Sequence, residues 1–167
     1  MKYKVLFKMT AIKKNIKAWL IFFMVTLFLS GLTAIPVEAE LEFLCRIFPT
    51  GTSLGNWLYK TYLAFHDTNQ QYPFLSYGYD WLAFAHFVLA LLFIGPLKDP
   101  VKNKWVIEFG MMACVLIIPF ALIAGHYRGI PFWWRLVDCS FGIIGLLPLG
   151  IVLKKINQLE SININTD

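Results

Sequence analysis

The chain has 167 residues, of which 58% are hydrophobic, and its formal net charge is +5. Its mean hydropathy of +0.62 leaves too little polar sequence to cover a soluble globule of this length. The positive charge does not indicate nucleic-acid binding, because the lysines flank apolar segments instead of forming a basic recognition face. We therefore expect a single membrane domain over residues 1–167.

Four apolar stretches approach the ~20 residues that are needed to cross a bilayer. They predict spans at 18–35, 81–96, 105–124 and 132–153. The remaining parts are a basic cytoplasmic tail at 1–17, an outer loop at 36–80 and a cytoplasmic tail at 154–167. The predicted fold class is all-α: a polytopic membrane protein with a bundle of four transmembrane helices.

The first stretch has two interpretations. A basic N-terminal segment is followed by an apolar run. After this run, Val37-Glu38-Ala39 satisfies the small-residue rule for signal-peptide cleavage. However, the apolar run is longer than a usual signal core, so we predict an uncleaved anchor. Cleavage before Glu40 is the alternative, and it would leave three spans.

The outer loop contains a helical repeat of apolar residues, Leu54, Leu58, Tyr62 and Phe65, after a plausible cap at Ser53. This pattern predicts a short amphipathic helix at the outer membrane interface. A polar turn is expected after it, at 68–73. The helix has two possible roles: it covers the ends of the spans, or it acts as a lid for an amphiphilic substrate.

The distribution of basic residues predicts the orientation of the chain. Most lysines fall on one side of the four spans: Lys2, Lys4, Lys8, Lys13, Lys14, Lys17, Lys98, Lys102, Lys104, Lys154 and Lys155. The opposite side has only Arg46, Lys60 and Arg128, with Arg135 just inside the fourth span. We expect a multi-pass protein of the inner, cytoplasmic membrane with both termini cytoplasmic. Glu108 follows Lys104 by one helical turn, which predicts an ion pair.

Ionisable residues are concentrated in the outer half of the predicted bundle, where charge is costly and usually functional. His86 lies ~9 Å inside the second span, and Asp138 lies at a similar depth in the fourth. Arg135 is one turn nearer the surface on the same face as Asp138. His126 and Arg128 occupy a tight turn at 125–131, and Asp80 is expected to cap the second span.

Asp138, Gly142 and Gly145 form a stripe with the spacing i, i+4, i+7, which should face protein because small residues allow close helix packing. We infer that the faces carrying His86 and Asp138 meet. One interpretation is structural: Arg135 pairs with Asp138, and His86 donates a hydrogen bond between helices. The other is a functional site.

The segment from Asp80 to His86 and Phe87 resembles the Asp and His-Phe opening of the VanZ-like membrane proteins. Arg128 or Arg135, followed by Asp138 and Gly145, resembles their later Arg, Asp and Gly pattern. The resemblance implies a cell-envelope role, which in some members of that family is associated with glycopeptide resistance.

Three functions remain open. The first is an outward-facing pocket for a lipid-linked or amphiphilic molecule, with His86 and Asp138 as candidate catalytic groups and Arg128, Arg135, His126 and Asp80 as candidate substrate-binding groups. The second is a non-enzymatic subunit or assembly factor of a membrane complex. The third is a metal or haem carrier, suggested by three histidines on the outer side, His66, His86 and His126. The expected partners are the lipid bilayer, a lipid-linked substrate or other membrane subunits, and no cofactor is identified.

Overall fold

A computed structural model describes residues 2–164. The helices are α1 (Lys2–Thr33), α2 (Val37–Ile47), α3 (Ser53–Gln71), α4 (Tyr77–Leu92), α5 (Ile94–Lys98), α6 (Lys104–Tyr127) and α7 (Phe132–Ile164), with a 3-10 helix at Pro73–Ser76 before α4. Residues 165–167 of the predicted C-terminal tail lie outside the described residues, and so do the side chains of Lys2 and Lys4. Within residues 2–164 there is no β-strand, so the predicted all-α class is confirmed.

Four segments are long and apolar enough to cross a membrane: Val5–Thr33, Pro73–Lys98, Lys104–Tyr127 and Phe132–Ile162. The predicted number of spans is therefore confirmed. The helices extend beyond the predicted apolar stretches, because lysine, glutamine and glutamate are good helix formers and continue the backbone hydrogen bonding past the apolar part.

The region between the first two spans is more helical than predicted. The amphipathic helix is present as α3, but its cap is Thr52, whose hydroxyl accepts a 3.0 Å hydrogen bond from the Gly55 amide. The prediction of Ser53 as the cap was wrong by one residue, because Ser53 already has helical geometry. The predicted polar turn at 68–73 was also wrong over its first four residues, which form the last turn of α3. Helix α2 was not predicted.

Contacts along the chain define two compact units. One comprises the described residues up to Val25 and from Leu91 onward, and the other is Thr26–Ala90. In the first unit, α1 contributes Ile16 and Leu20, which are fully buried, and Phe23, whose ring lies 4.8 Å from that of Phe93. These residues recur at helical spacing and form one face of α1.

Helices α6 and α7 of the first unit form an antiparallel pair with close backbone approach. A Cβ atom on Gly142 would overlap the carbonyl oxygen of Cys114, and one on Gly145 would lie 2.8 Å from the Cys114 sulfur. The Cys139 thiol donates to the Ile118 carbonyl at 3.8 Å. The prediction that the glycine stripe faces protein is confirmed.

At the end of α6 and α7 opposite their connecting turn lies a salt bridge that the sequence did not predict. Lys104 Nζ lies 2.9 Å from Glu160 Oε2, and both side chains are about two-thirds buried. The predicted pair between Lys104 and Glu108 was wrong, because α7 continues long enough to bring Glu160 opposite the start of α6. Glu108 is exposed.

Candidate functional site

The turn between α6 and α7 is a Schellman motif. The Ile130 amide donates to the Gly125 carbonyl at 2.9 Å, and the Gly129 amide donates to the His126 carbonyl at 3.1 Å. Gly129 has φ 68°, a left-handed conformation in which a Cβ is strained. His126 and Arg128 lie exposed on this turn. The predicted tight turn is confirmed, and it presents two potentially cationic side chains at one end of the helix pair.

Arg135 is tied to the end of α6. Its side chain packs against Gly125, and its guanidinium Nη1 donates to the Leu122 carbonyl at 3.3 Å. The guanidinium carbon also lies 5.4 Å from the centre of the Phe132 ring, within cation–π range. Its Nε is buried and has no hydrogen-bond partner among the described residues. The Arg135 side chain is thus fixed in place, but one of its hydrogen-bond donors has no acceptor in the described part of the chain.

Asp138 lies one turn after Arg135 and is half-buried. The predicted ion pair between them was wrong: no described basic group lies within 4.0 Å of the Asp138 carboxylate, because the Arg135 side chain turns toward α6. Nor does any described side chain or backbone group form a hydrogen bond with that carboxylate. The early part of α7 therefore carries two polar groups with unused bonding capacity.

His86 belongs to the second unit and is half-buried. Its Nδ1 lies 2.8 Å from the Leu82 carbonyl, which accepts only, so Nδ1 carries the proton and a neutral ring has its lone pair on Nε2. In the structural interpretation, His86 donates a hydrogen bond to another helix, but Nδ1 does not do so, because it bonds within α4. Gly31 packs against the His86 Cβ and the Ala83 carbonyl, so α1 and α4 approach closely here. The predicted meeting of His86 with Asp138 stays a prediction.

Asp80 lies in the first turn of α4, which begins at Tyr77. The prediction that it caps this helix was wrong, because the 3-10 helix runs directly into α4 and places Asp80 inside it. Its charge still faces the positive end of the helix dipole. Asp80 borders a surface cavity of about 270 Å³ together with Tyr77, Trp81 and Phe84.

A polar network that the sequence did not reveal connects α2, α3 and the 3-10 helix. Glu38 Oε1 lies 2.6 Å from His66 Nδ1, and Glu38 Oε2 accepts from Asn69 Nδ2 at 2.7 Å. The Ser76 hydroxyl donates to Asn69 Oδ1 at 2.8 Å. The hydrogen bond with His66 lowers the pKa of the Glu38 carboxyl, and the bond from Asn69 adds to this effect.

One signal could have indicated this network. Val37, Leu41 and Leu44 repeat at helical spacing, so they predict α2 and place Glu38 near its start. The Val37-Glu38-Ala39 motif was instead interpreted only as a cleavage signal. His66 was considered only as a metal ligand, and its carboxylate partner lies 28 residues earlier in the chain.

Four of the six predicted site residues, His126, Arg128, Arg135 and Asp138, belong to the α6–α7 pair, while Asp80 and His86 share α4. Within the described part of the chain, no three His, Cys, Asp or Glu side chains form a group that could hold a metal ion. Comparisons with protein-family models, with characterised proteins and with solved structures found no match to this chain.

Proposed function

We propose that this membrane protein belongs to the cell envelope and binds an amphiphilic or lipid-linked molecule through an outward-facing polar site at the α6–α7 turn. The unused polar capacity at the start of α7 carries the proposal: Asp138 is partly exposed and has no described counter-charge. Lipid tails cannot satisfy such groups, and ionisable residues in membrane helices are usually functional. A ligand with a polar head can supply the missing polar contacts, and its apolar tail can lie among the lipid tails.

The basic side chains of the site outnumber its Asp138 carboxylate, so its net charge favours an acidic headgroup. Arg128 and Arg135 supply guanidinium groups suited to phosphate or carboxylate, and His126 adds a third donor on the exposed turn. Exposed Tyr127 and Phe132 beside them suit the boundary between headgroups and acyl chains. In a catalytic form of this proposal, Asp138 orients the substrate, and the role of His86 as the proton-transfer group stays a prediction. The resemblance to VanZ-like proteins is in line with an envelope role.

Titration of the purified protein in dodecyl maltoside with hexadecyl phosphate and with hexadecanol tests the proposal, with tryptophan fluorescence as the readout. We expect hexadecyl phosphate to bind at least about tenfold more tightly, and Arg128→Gln to remove most of that preference, since a charged hydrogen bond is worth about 1.5–3 kcal/mol. Arg46→Gln is the matched control: it removes the same charge from an exposed pair with Glu42 in α2. Equal binding of the two probes, or an equal effect of Arg46→Gln, would contradict the proposal.

A second candidate function, a subunit or assembly factor, is favoured by the same Asp138 carboxylate, because a polar group on a partner helix would also satisfy it. In that case Asp138→Asn should reduce the protein that copurifies with the chain and leave hexadecyl phosphate binding unchanged. Under the ligand-binding proposal, Asp138→Asn should change hexadecyl phosphate binding and leave the assembly mass in native mass spectrometry unchanged.

A further inference from the structure

A cleft of about 840 Å³ lies in the first unit, at the end of the α6–α7 pair opposite the turn. Its walls come from the first half of α1 and from the connection between α5 and α6, and buried Leu159 of α7 also lines it. The charged residues that line it are Lys13, Lys14, Lys17, Lys98, Lys102 and Asp99. We refer to it as the lysine cleft. Five cations and one carboxylate share this space.

The α1 wall follows from helical spacing. Lys13 and Lys17 are four residues apart, so both project from one face of the helix. The neighbouring face carries Ile12, Ile16 and Leu20, which are buried at 8%, 0% and 0% exposure. Because that apolar face is packed, α1 cannot rotate freely, and its lysines are held toward the cleft.

The opposite wall is also ordered. Asn103 Nδ2 donates to the Asp99 carbonyl at 2.9 Å and to the Gly95 carbonyl at 3.2 Å. The Lys102 amide donates to Asp99 Oδ1 at 3.2 Å. These bonds fix the backbone of the connection that carries Lys98 and Lys102, so the points from which the two lysines project are set before any ligand arrives.

The charges of the lysine cleft are poorly balanced. Lys102 Nζ lies 3.9 Å from Asp99 Oδ2, at the limit of an ion pair, and the Lys102 side chain is 84% exposed. No described carboxylate lies within 4.0 Å of the other four lysines. Lys104, in contrast, is paired with Glu160. Membrane topology requires lysines on one side of the bilayer, but it does not require them to line one cleft.

We propose that the lysine cleft is a binding site for a phosphate-bearing anion with at least two negative charges, either a lipid headgroup or a soluble phosphate. Phosphate oxygens accept hydrogen bonds from several ammonium groups at once, and basic pockets between membrane helices bind anionic headgroups. The volume is large enough to hold such a group together with water. This site is roughly 36 Å from the α6–α7 turn along α6, and it does not rest on the proposed function there.

The variant that tests the site removes one charge from each wall: Lys13→Gln with Lys98→Gln. The matched control, Lys8→Gln with Lys154→Gln, removes the same net charge from two exposed lysines that do not line the cleft. Both substituted pairs are exposed, so we expect all proteins to melt within a few degrees of one another. Each single substitution, Lys13→Gln or Lys98→Gln, should give a smaller loss of affinity in the same direction.

Two probes distinguish the sources of phosphate. Inorganic pyrophosphate is titrated by calorimetry into the full-length protein in dodecyl maltoside. Cardiolipin, whose headgroup carries two phosphates, is supplied in phosphatidylcholine nanodiscs, and bound lipid is counted by native mass spectrometry. If the ligand is soluble, pyrophosphate should bind; if it is a lipid headgroup, cardiolipin should be retained and pyrophosphate should not bind.

In either case the cleft variant should weaken binding at least about tenfold, and the control variant less than about twofold. Equal losses in the two variants would show diffuse attraction to net positive charge and would overturn the proposal. Absence of binding of both probes to the unsubstituted protein would overturn it as well. Neither result depends on Arg128. The proposal for the lysine cleft and the proposal for the α6–α7 turn can therefore be contradicted separately.

Discussion

Glu38 uses both carboxylate oxygens to hold α3, and its contact with His66 Nδ1 is the shorter at 2.6 Å. The bond with His66 lowers the pKa of Glu38. A carboxyl whose pKa is lower in the folded state stabilises that state above its unfolded pKa of about 4.3, and the stabilisation is lost as the pH falls through the folded pKa. The stabilisation that Glu38 contributes should therefore be lost in acid.

Glu38→Gln should lower the melting temperature at pH 7, and the difference from the unsubstituted protein should narrow below about pH 4. Circular dichroism melts between pH 7 and pH 3 measure this. Burial raises the pKa of Glu40, so the effect of this carboxyl on stability changes with pH in the opposite direction. Glu40 is present in both proteins, so its effect cancels in the difference between their melting temperatures. Glu42→Gln on the same helix serves as the control. A difference that stays constant down to pH 3 would contradict the assigned role of the Glu38 carboxylate.

The contact between Gly142 and the Cys114 carbonyl leads to a second prediction. Gly142→Ala would place a methyl group on backbone that cannot move aside, so it should destabilise the protein by about 1–3 kcal/mol. Gly150 lies on the same helix with open space around it, and Gly150→Ala should instead stabilise by up to about 1 kcal/mol through helix propensity. Thermal unfolding in detergent measures both. Stabilisation by both substitutions would show that the α6–α7 contact is looser than described.

The spans and the protein-facing glycine stripe were predictable because they depend on local signals, namely apolar length and the spacing of small residues. The partners of Lys104 and Arg135 were not. Local spacing offered Glu108 and Asp138, whereas the actual contacts are Glu160 and the Leu122 carbonyl, which only the packing of α7 on α6 brings close. For the same reason, the convergence of lysines from α1 and the α5–α6 connection could not be inferred from their positions in the sequence.

A double-mutant cycle on Lys104→Met and Glu160→Gln tests the first of these pairs. We expect a coupling of about 0.5–1 kcal/mol, near the upper end for surface pairs, because both side chains are partly buried. A second cycle, which combines Lys104→Met with Glu108→Gln, should show no coupling. Coupling with Glu108 and none with Glu160 would support the local pair that the sequence predicted.

The fate of the first span is a separate prediction. Intact-mass measurement of the purified protein should find the residues before Glu40 still attached, because α1 is 32 residues long and contains an apolar stretch that can remain in the bilayer. A mature N-terminus at Glu40 would show that the stretch is a signal peptide. Retention of the segment also matters for the lysine cleft, since Lys13, Lys14 and Lys17 would be lost with it.

The orientation of the chain follows from the asymmetry of its lysines and can be measured directly. A reporter that is active only in the cytoplasm should be active when it is inserted near Lys102 and inactive near Thr68, since lysine-rich segments remain on the cytoplasmic side. The control is a variant with Lys98, Lys102 and Lys104 replaced by glutamine, which should weaken the preference without reversing it, because the lysines of α1 still favour the same orientation. Activity near Thr68 in the unsubstituted protein would invert the topology, placing the α6–α7 turn in the cytoplasm and the lysine cleft outside.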